Sequence, residues 1–292
     1  MEDRIMELIA SASKTKEILN KYPFVFRKKY GQNFLIDSHV LNKIIEGAEI
    51  GREDFVLEIG PGIGSLTQVL SREAKKVVAV EIDSQLIPIL EDVLKECDNL
   101  EIIHGDILKT DIKKIIEEKN NNQPIKVVAN LPYYITTPII MMLLENKLPV
   151  SSITVMIQKE VADRLIARPG TKDYGAITVA VNYYAVPYLV ANVPRNCFIP
   201  RPNVDSAVIK LELRSEAAVE VKDEELFFKI VKAAFSQRRK KLMNNLISQE
   251  ITDLSKDELA LIFSQLAFDE NIRGEMLSIE DFARLTNALK KE

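Results

Sequence analysis

The chain has 292 residues, room for about two domains and a substantial core. An apolar content of 47% excludes a disordered chain, and no apolar run approaches the ~18 residues that cross a bilayer. A net charge of −4 argues against a general nucleic-acid coat, two cysteines exclude a disulfide framework and suit a reducing compartment, and two histidines leave little for a His/Cys metal site.

Residues 3–20 carry Ile5, Leu8, Ile9 and Ala12 at helical spacing, and Pro23 stops that pattern. The acids in this stretch argue against a signal or transit peptide, which points to the cytoplasm. A second helix is expected over 37–48, with Asp37 or Ser38 as its cap. Short apolar runs then recur at Phe55–Ile59, Val77–Val80, Leu100–Ile103, Lys126–Ala129 and Ile153–Ile157, with room for a helix in the gaps between the first four. This is the pattern of an α/β fold: a mostly parallel sheet buried on both faces by helices. Asn120-Asn121-Asn122 reads as a loop tip. Residues 196–213 hold two prolines and then an alternating strand, which suits a rigid loop and an antiparallel pair at the sheet edge. From about 222 onward the pattern is helical, with capping signals at Ser255–Glu258 and Ser278–Asp281. A boundary near 214–222 divides the chain into 1–214 and a small all-helical 215–292.

In an open parallel sheet, ligands sit beyond the carboxyl ends of the strands. After the first strand comes Glu58-Ile59-Gly60-Pro61-Gly62-Ile63-Gly64-Ser65. Its glycines permit a sharp turn and close approach to a ligand, and a tight turn without a ligand fits equally well. Ser65 stands where the dinucleotide fingerprint has its last glycine, which speaks against a nicotinamide-dependent oxidoreductase. Glu81 ends the second strand, 21 residues past Gly60, where a carboxylate meets a ribose diol. Asp106 follows the third strand; it could accept from an adenine amine or cap the next helix. Asn130-Leu131-Pro132-Tyr133 follows the fourth. Pro132 holds Leu131 extended, so that an amide oxygen, a backbone carbonyl and a flat ring are offered together. Two acceptors and a platform suit an adenine amino group; a turn with a buried tyrosine is the plainer alternative.

Charge is unevenly spread. Residues 51–100 and 246–292 each carry a net −5, whereas 195–245 carries +4 and includes Arg238-Arg239-Lys240-Lys241. Such a run is a solvated helix face or a patch for nucleic-acid phosphates.

These elements together resemble the ribosomal RNA adenine dimethyltransferases. The resemblance rests on Lys29-Tyr30-Gly31-Gln32-Asn33-Phe34-Leu35, the glycine turn with Glu81 and Asp106, Asn130–Tyr133, and Phe198-Ile199-Pro200-Arg201-Pro202-Asn203-Val204-Asp205-Ser206-Ala207, in that order. It spans essentially the whole chain. Within the family the small-subunit (16S) branch fits better than the large-subunit resistance enzymes, which more often carry N-I-P-Y. The resemblance implies a Rossmann-like class I methyltransferase sheet, S-adenosylmethionine as methyl donor and no metal. It implies a monomer acting on small-subunit rRNA in an immature small ribosomal subunit. Asn33, Leu35, Gly60, Glu81, Asp106 and Asn130 would hold the donor; Asn130, Leu131 and Tyr133 would hold and polarise the target adenine; Phe198 would close its other face. Arg201, Arg238, Arg239, Lys240 and Lys241 are expected on RNA phosphates. A ribosome-assembly factor whose methylation is incidental is the competing class.

Overall fold

The computed structural model describes residues 8–27 and 30–290. The chain forms two compact units: residues up to 162 together with 188–213, and residues 163–187 together with 214 onward.

In the first unit the expected strands form where predicted. They are β2 (Phe55–Ile59), β3 (Lys76–Glu81), β4 (Leu100–His104), β5 (Ile125–Asn130) and β6 (Val150–Gln158), with β1 (Phe34–Leu35) preceding them. A seven-stranded sheet has the order β4-β3-β2-β5-β6-β9-β7, where β7 is Ala185–Val193 and β9 is Ser206–Leu213. The pairs β2–β3, β3–β4, β2–β5 and β5–β6 are parallel. Strand β9 runs antiparallel to β6, from Ser152↔Glu212 to Gln158↔Ser206. It is not the edge: β7 lies outside it. Pro187 near the start of β7 masks that strand in the sequence, and an edge strand is where a sheet tolerates proline. Every residue of central β2 is buried, Glu58 included.

Helix α1 (Ala12–Lys21) is shorter than predicted: Ser11 caps it, its Oγ accepting from the Lys14 amide, and residues 3–7 of the expected helix lie outside the described residues. Helix α2 (Ser38–Ala48) starts at its expected cap, with Asp37 accepting from the His39 and Val40 amides. A two-stranded pair joins β1 to β8 (Phe198–Ile199) through Phe34↔Ile199 and Leu35↔Phe198. Two motifs far apart in sequence thus meet as neighbours.

The second unit contains α8 (Ala176–Tyr184), α9 (Glu224–Ala234), α10 (Leu242–Ser248), α11 (Lys256–Gln265) and α12 (Ile279–Leu289). The expected boundary near 214 omits 163–187, which group with the C-terminal helices. The reason is aromatic: Tyr183 of α8 lies 5.1 Å from Phe227, and the Tyr174 hydroxyl donates to the Leu277 carbonyl at 2.9 Å. Phe227, Phe263 and Phe282 fill the centre. Both predicted capping boxes form. At α12 the Ser278 Oγ accepts from the Asp281 amide at 3.2 Å, and Asp281 accepts from the Ser278 amide at 3.1 Å. Ser278→Ala is expected to cost about 1 kcal/mol, read as a fall of roughly 2–4 °C in the melting midpoint.

Candidate active site

A cleft of about 770 Å³, its open mouth included, lies at the carboxyl ends of β2, β3 and β5, under the segment that leads into β1.

Its floor is the turn after β2. Gly60, Gly62 and Gly64 have φ of 68°, 63° and 91°, a region side chains disfavour. A Cβ on Gly60 would meet nothing within 4 Å, so its backbone faces open space; one on Gly62 would press within 3.1 Å of the Phe34 ring. The turn hangs on the end of β3: the Gly60 amide donates to the Val80 carbonyl at 2.9 Å, and the Gly62 amide to Glu81 Oε2 at 3.2 Å. Glu81 Oε1 accepts from the Asp83 amide at 2.8 Å. Both Glu81 oxygens are therefore oriented by backbone donors, and each keeps accepting capacity.

Two carboxyls of the cleft lining are buried. Glu81 is 4% exposed and Glu58 is 1% exposed. Burial pushes Glu81 up to about 7 against the lowering effect of its backbone donors. Burial, with Glu81 as a like-charged neighbour, pushes Glu58 up to about 8. Glu58 Oε2 has no hydrogen-bond partner. An unpartnered buried carboxyl oxygen beside the cleft is a standing demand for a donor or a cation.

The opposite wall is the turn after β5. The Leu131 amide donates to the Met156 carbonyl at 3.0 Å, which locks the turn onto β6. Asn130 Nδ2 donates to the Asn33 carbonyl at 3.1 Å, and Asn33 Nδ2 donates to the Gly31 carbonyl at 3.0 Å. This chain fixes the Asn130 amide so that its Oδ1 is the acceptor left to a ligand. Among the described residues the Leu131 carbonyl receives no donor. The Tyr133 hydroxyl shares a 2.7 Å hydrogen bond with Ser206 Oγ, and burial raises its pKa, so it stays neutral. Tyr133→Phe is expected to slow turnover a few-fold by freeing the ring; Tyr133→Ala, which removes the ring, is expected to slow it by about tenfold or more, the worth of a stacking platform. Steady-state kinetics of both variants measure this.

The structure brings together Asn33, Leu35, Gly60, Glu81, Asn130, Leu131 and Tyr133 around one cleft. It does not bring Asp106 or Phe198 to that lining. Asp106 caps the turn after β4, its Oδ1 accepting from the Leu108 amide at 3.1 Å, while α5 (Ile112–Asn120) is capped by Asp111. Phe198 is 3% exposed and packs in the core with Leu35 and Val208, because its pairing with β1 turns it inward. Arg201 is exposed in the first unit. Arg238-Arg239-Lys240-Lys241 are exposed in the second, on a turn between α9 and α10 rather than on a helix face. Arg238 donates to the Tyr174 carbonyl, and Lys241 stands at the N-cap position of α10 without a side-chain capping bond. Sequence reasoning gave no role to Glu58, Ser206 or Tyr134. Tyr134 is 52% exposed, and burial raises its pKa, with Tyr30, Asp106 and Glu81 adding to the rise. The doubled tyrosine was the available signal for it.

A family model described as "Ribosomal RNA adenine dimethylase" matches residues 24–291. The chain belongs to the ribosomal RNA adenine dimethylase family. It is 57% identical over 288 residues to Ribosomal RNA small subunit methyltransferase A of Lachnoclostridium phytofermentans, covering 98% of this chain and 99% of that protein. It is 53% identical over 284 residues to the protein of the same name from Clostridioides difficile, covering 97% and 98%. Among solved structures it resembles a dimethyladenosine transferase from Plasmodium falciparum (TM-score 0.73, 28% identity, 86% of this chain and 95% of that one). It also resembles the 23S rRNA methyltransferase ErmE (TM-score 0.67, 27% identity, 88% and 99%). The dimethylase fold thus accounts for both units.

Proposed function

We infer that this protein transfers methyl groups from S-adenosylmethionine to the N6 nitrogen of adenosines in small-subunit (16S) rRNA, two per base, on adjacent adenosines near the 3′ end, during ribosome biogenesis. The observation that carries the chemistry is the pairing, across one cleft, of buried carboxyls with the fixed Asn130 acceptor. Identities above 50% to small-subunit methyltransferases favour that subunit over the large one.

The cleft suits the donor. S-adenosylmethionine supplies, when bound, a methyl group on a positively charged sulfur, an excellent leaving group. Buried Glu58 and Glu81 favour a cationic ligand, Glu81 offers oxygens to a diol, and Gly60 leaves room for close approach. Asn33 and Leu35 close the cleft from the N-terminal side.

Asn130 Oδ1 and the Leu131 carbonyl take the two N6 hydrogens of the target adenine. That pulls the nitrogen lone pair out of conjugation and aims it. Tyr133 stacks on the extruded base, worth roughly 1–3 kcal/mol, which offsets much of the cost of unstacking. The nitrogen becomes cationic on alkylation and then sheds a proton without a strong base. After one transfer a single N–H is left, so one of the two acceptors loses its partner before the second. Arg201 and Arg239–Lys241 hold RNA phosphates, while Arg238 divides its guanidinium between such contacts and the Tyr174 carbonyl.

One chain supplies every residue of the cleft, so this reading needs only a monomer. Two free cysteines fit a cytoplasmic site of action. No described helix is long and apolar enough to cross a membrane. The test is incubation with immature small subunits and labelled S-adenosylmethionine, followed by nucleoside analysis. Label in N6,N6-dimethyladenosine is expected; unlabelled adenosine would overturn the reading.

A further inference from the structure

The segment between α1 and β1 lines the donor cleft with Tyr30, Gly31, Gln32 and Asn33, yet its described residues form no α-helix or strand. Ladder hydrogen bonds do not hold it, so something else must offset the entropy of ordering it.

Part of the answer is a ring of contacts among three residues, closed through one backbone amide. Asp83 lies just beyond β3, and its side chain is 0% exposed. Its Oδ2 accepts from Gln32 Nε2 at 2.7 Å, and its Oδ1 lies 3.1 Å from Arg27 Nη1. The Arg27 amide closes the ring by donating to Gln32 Oε1 at 3.0 Å. The Arg27 guanidinium also lies 6.0 Å from the centre of the Tyr30 ring. The Asp83 backbone amide meanwhile donates to Glu81 Oε1. One residue thus grips the N-terminal segment with its side chain and orients the diol-binding carboxylate with its main chain. A fully buried carboxylate is costly unless paired, and here both oxygens are engaged by partners from the N-terminal segment, with Oδ1 also accepting from the Gln85 amide at 3.2 Å.

We propose that Asp83, through Arg27 and Gln32, is a positioning residue that latches the N-terminal segment over the donor cleft and couples it to Glu81. None of the three takes part in the transfer chemistry described above. The latch governs how tightly the donor is held; the acceptors at 130–133 govern how fast its methyl group moves. Breaking the latch therefore raises the donor KM and leaves kcat at saturating donor unchanged. A purely structural role would lower the melting midpoint without that split.

The proposal rests on the donor-binding reading, and calorimetry separates the two. The full chain is titrated with S-adenosylhomocysteine as wild type, Asp83→Ala, Arg27→Ala and the double variant. Each single variant is expected to weaken binding about tenfold, the effect of one lost charge-assisted hydrogen bond. The double variant is expected to be no weaker than the worse single one, since both break one ring. Arg27→Ala is partly exposed and keeps the test open should Asp83→Ala fail to fold. In the methylation assay Arg27→Ala is expected to raise donor KM with kcat intact. Wild type that binds, beside an Arg27→Ala protein of equal affinity, overturns the latch alone. Wild type that does not bind overturns the donor reading itself.

Discussion

Asn130→Ala is expected to lower kcat for methyl transfer by about two to three orders of magnitude, the cost of losing one preorganised polar group at a reacting centre. The substitution removes Oδ1, one of the two acceptors proposed for the N6 hydrogens, and also the Nδ2 bond to the Asn33 carbonyl. The rest of the turn stays anchored through the Leu131 amide and the Tyr133–Ser206 bond, so the melting midpoint and RNA affinity are expected to change little. Asn130→Asp separates the two roles. It keeps an acceptor but loses the donor to Asn33, so it should recover only a fraction of the rate. Single-turnover kinetics with saturating donor reads the effect without interference from product release. A variant within tenfold of wild type would mean that the 130–133 turn does not hold the reacting nitrogen.

The second large effect is a pH dependence centred on Glu58 and Glu81. Both have folded pKa values, about 8 and about 7, above the ordinary 4.5 of a glutamate. The unfolded chain ionises first as pH rises. The stability these groups contribute in their neutral form is therefore fully present below about pH 4.5 and is lost progressively up to about pH 8. The ligand-free protein should melt at a lower temperature at pH 8 than at pH 5.5, and Glu58→Gln should flatten that fall. Donor binding runs the other way. A cationic ligand favours the ionised carboxyls, so binding releases protons and affinity rises with pH toward 8. Glu81→Ala should weaken donor binding by on the order of a hundredfold, because it removes the proposed diol acceptor and strands the Gly62 and Asp83 amides. Calorimetry in buffers of different ionisation enthalpy measures both the affinity and the released protons. Affinity independent of pH between 5.5 and 8 would contradict the role given to the two carboxyls.

The parallel core of the sheet was legible because β2, β3 and β5 are short apolar runs with turn signals behind them. Strand β7 was not, since Pro187 and the exposed Tyr188 and Leu189 break any buried pattern. Helices α11 and α12 announced themselves through their capping serines. The claim of that unit on 163–187 depends on Tyr174 meeting the Leu277 carbonyl and Tyr183 the Phe227 ring, some 40 to 100 residues away, which no local pattern encodes. In the site, strand-end position marked Gly60, Glu81 and Asn130. It could not foretell that Phe198 turns into the core through its pairing with Leu35, or that Asp106 serves the turn it stands in. Asp83 was hidden for a related reason: its partners, Arg27 and Gln32, lie more than fifty residues upstream.

The most direct measurement is a crystal structure with a methyl donor and an adenosine bound together. The adenosine ring should lie on Tyr133, with its N6 within hydrogen-bond reach of Asn130 Oδ1 and the Leu131 carbonyl, and the donor's reactive carbon should point at that nitrogen. A donor whose reactive carbon faces away from the 130–133 turn, with its diol distant from Glu81, would contradict the account.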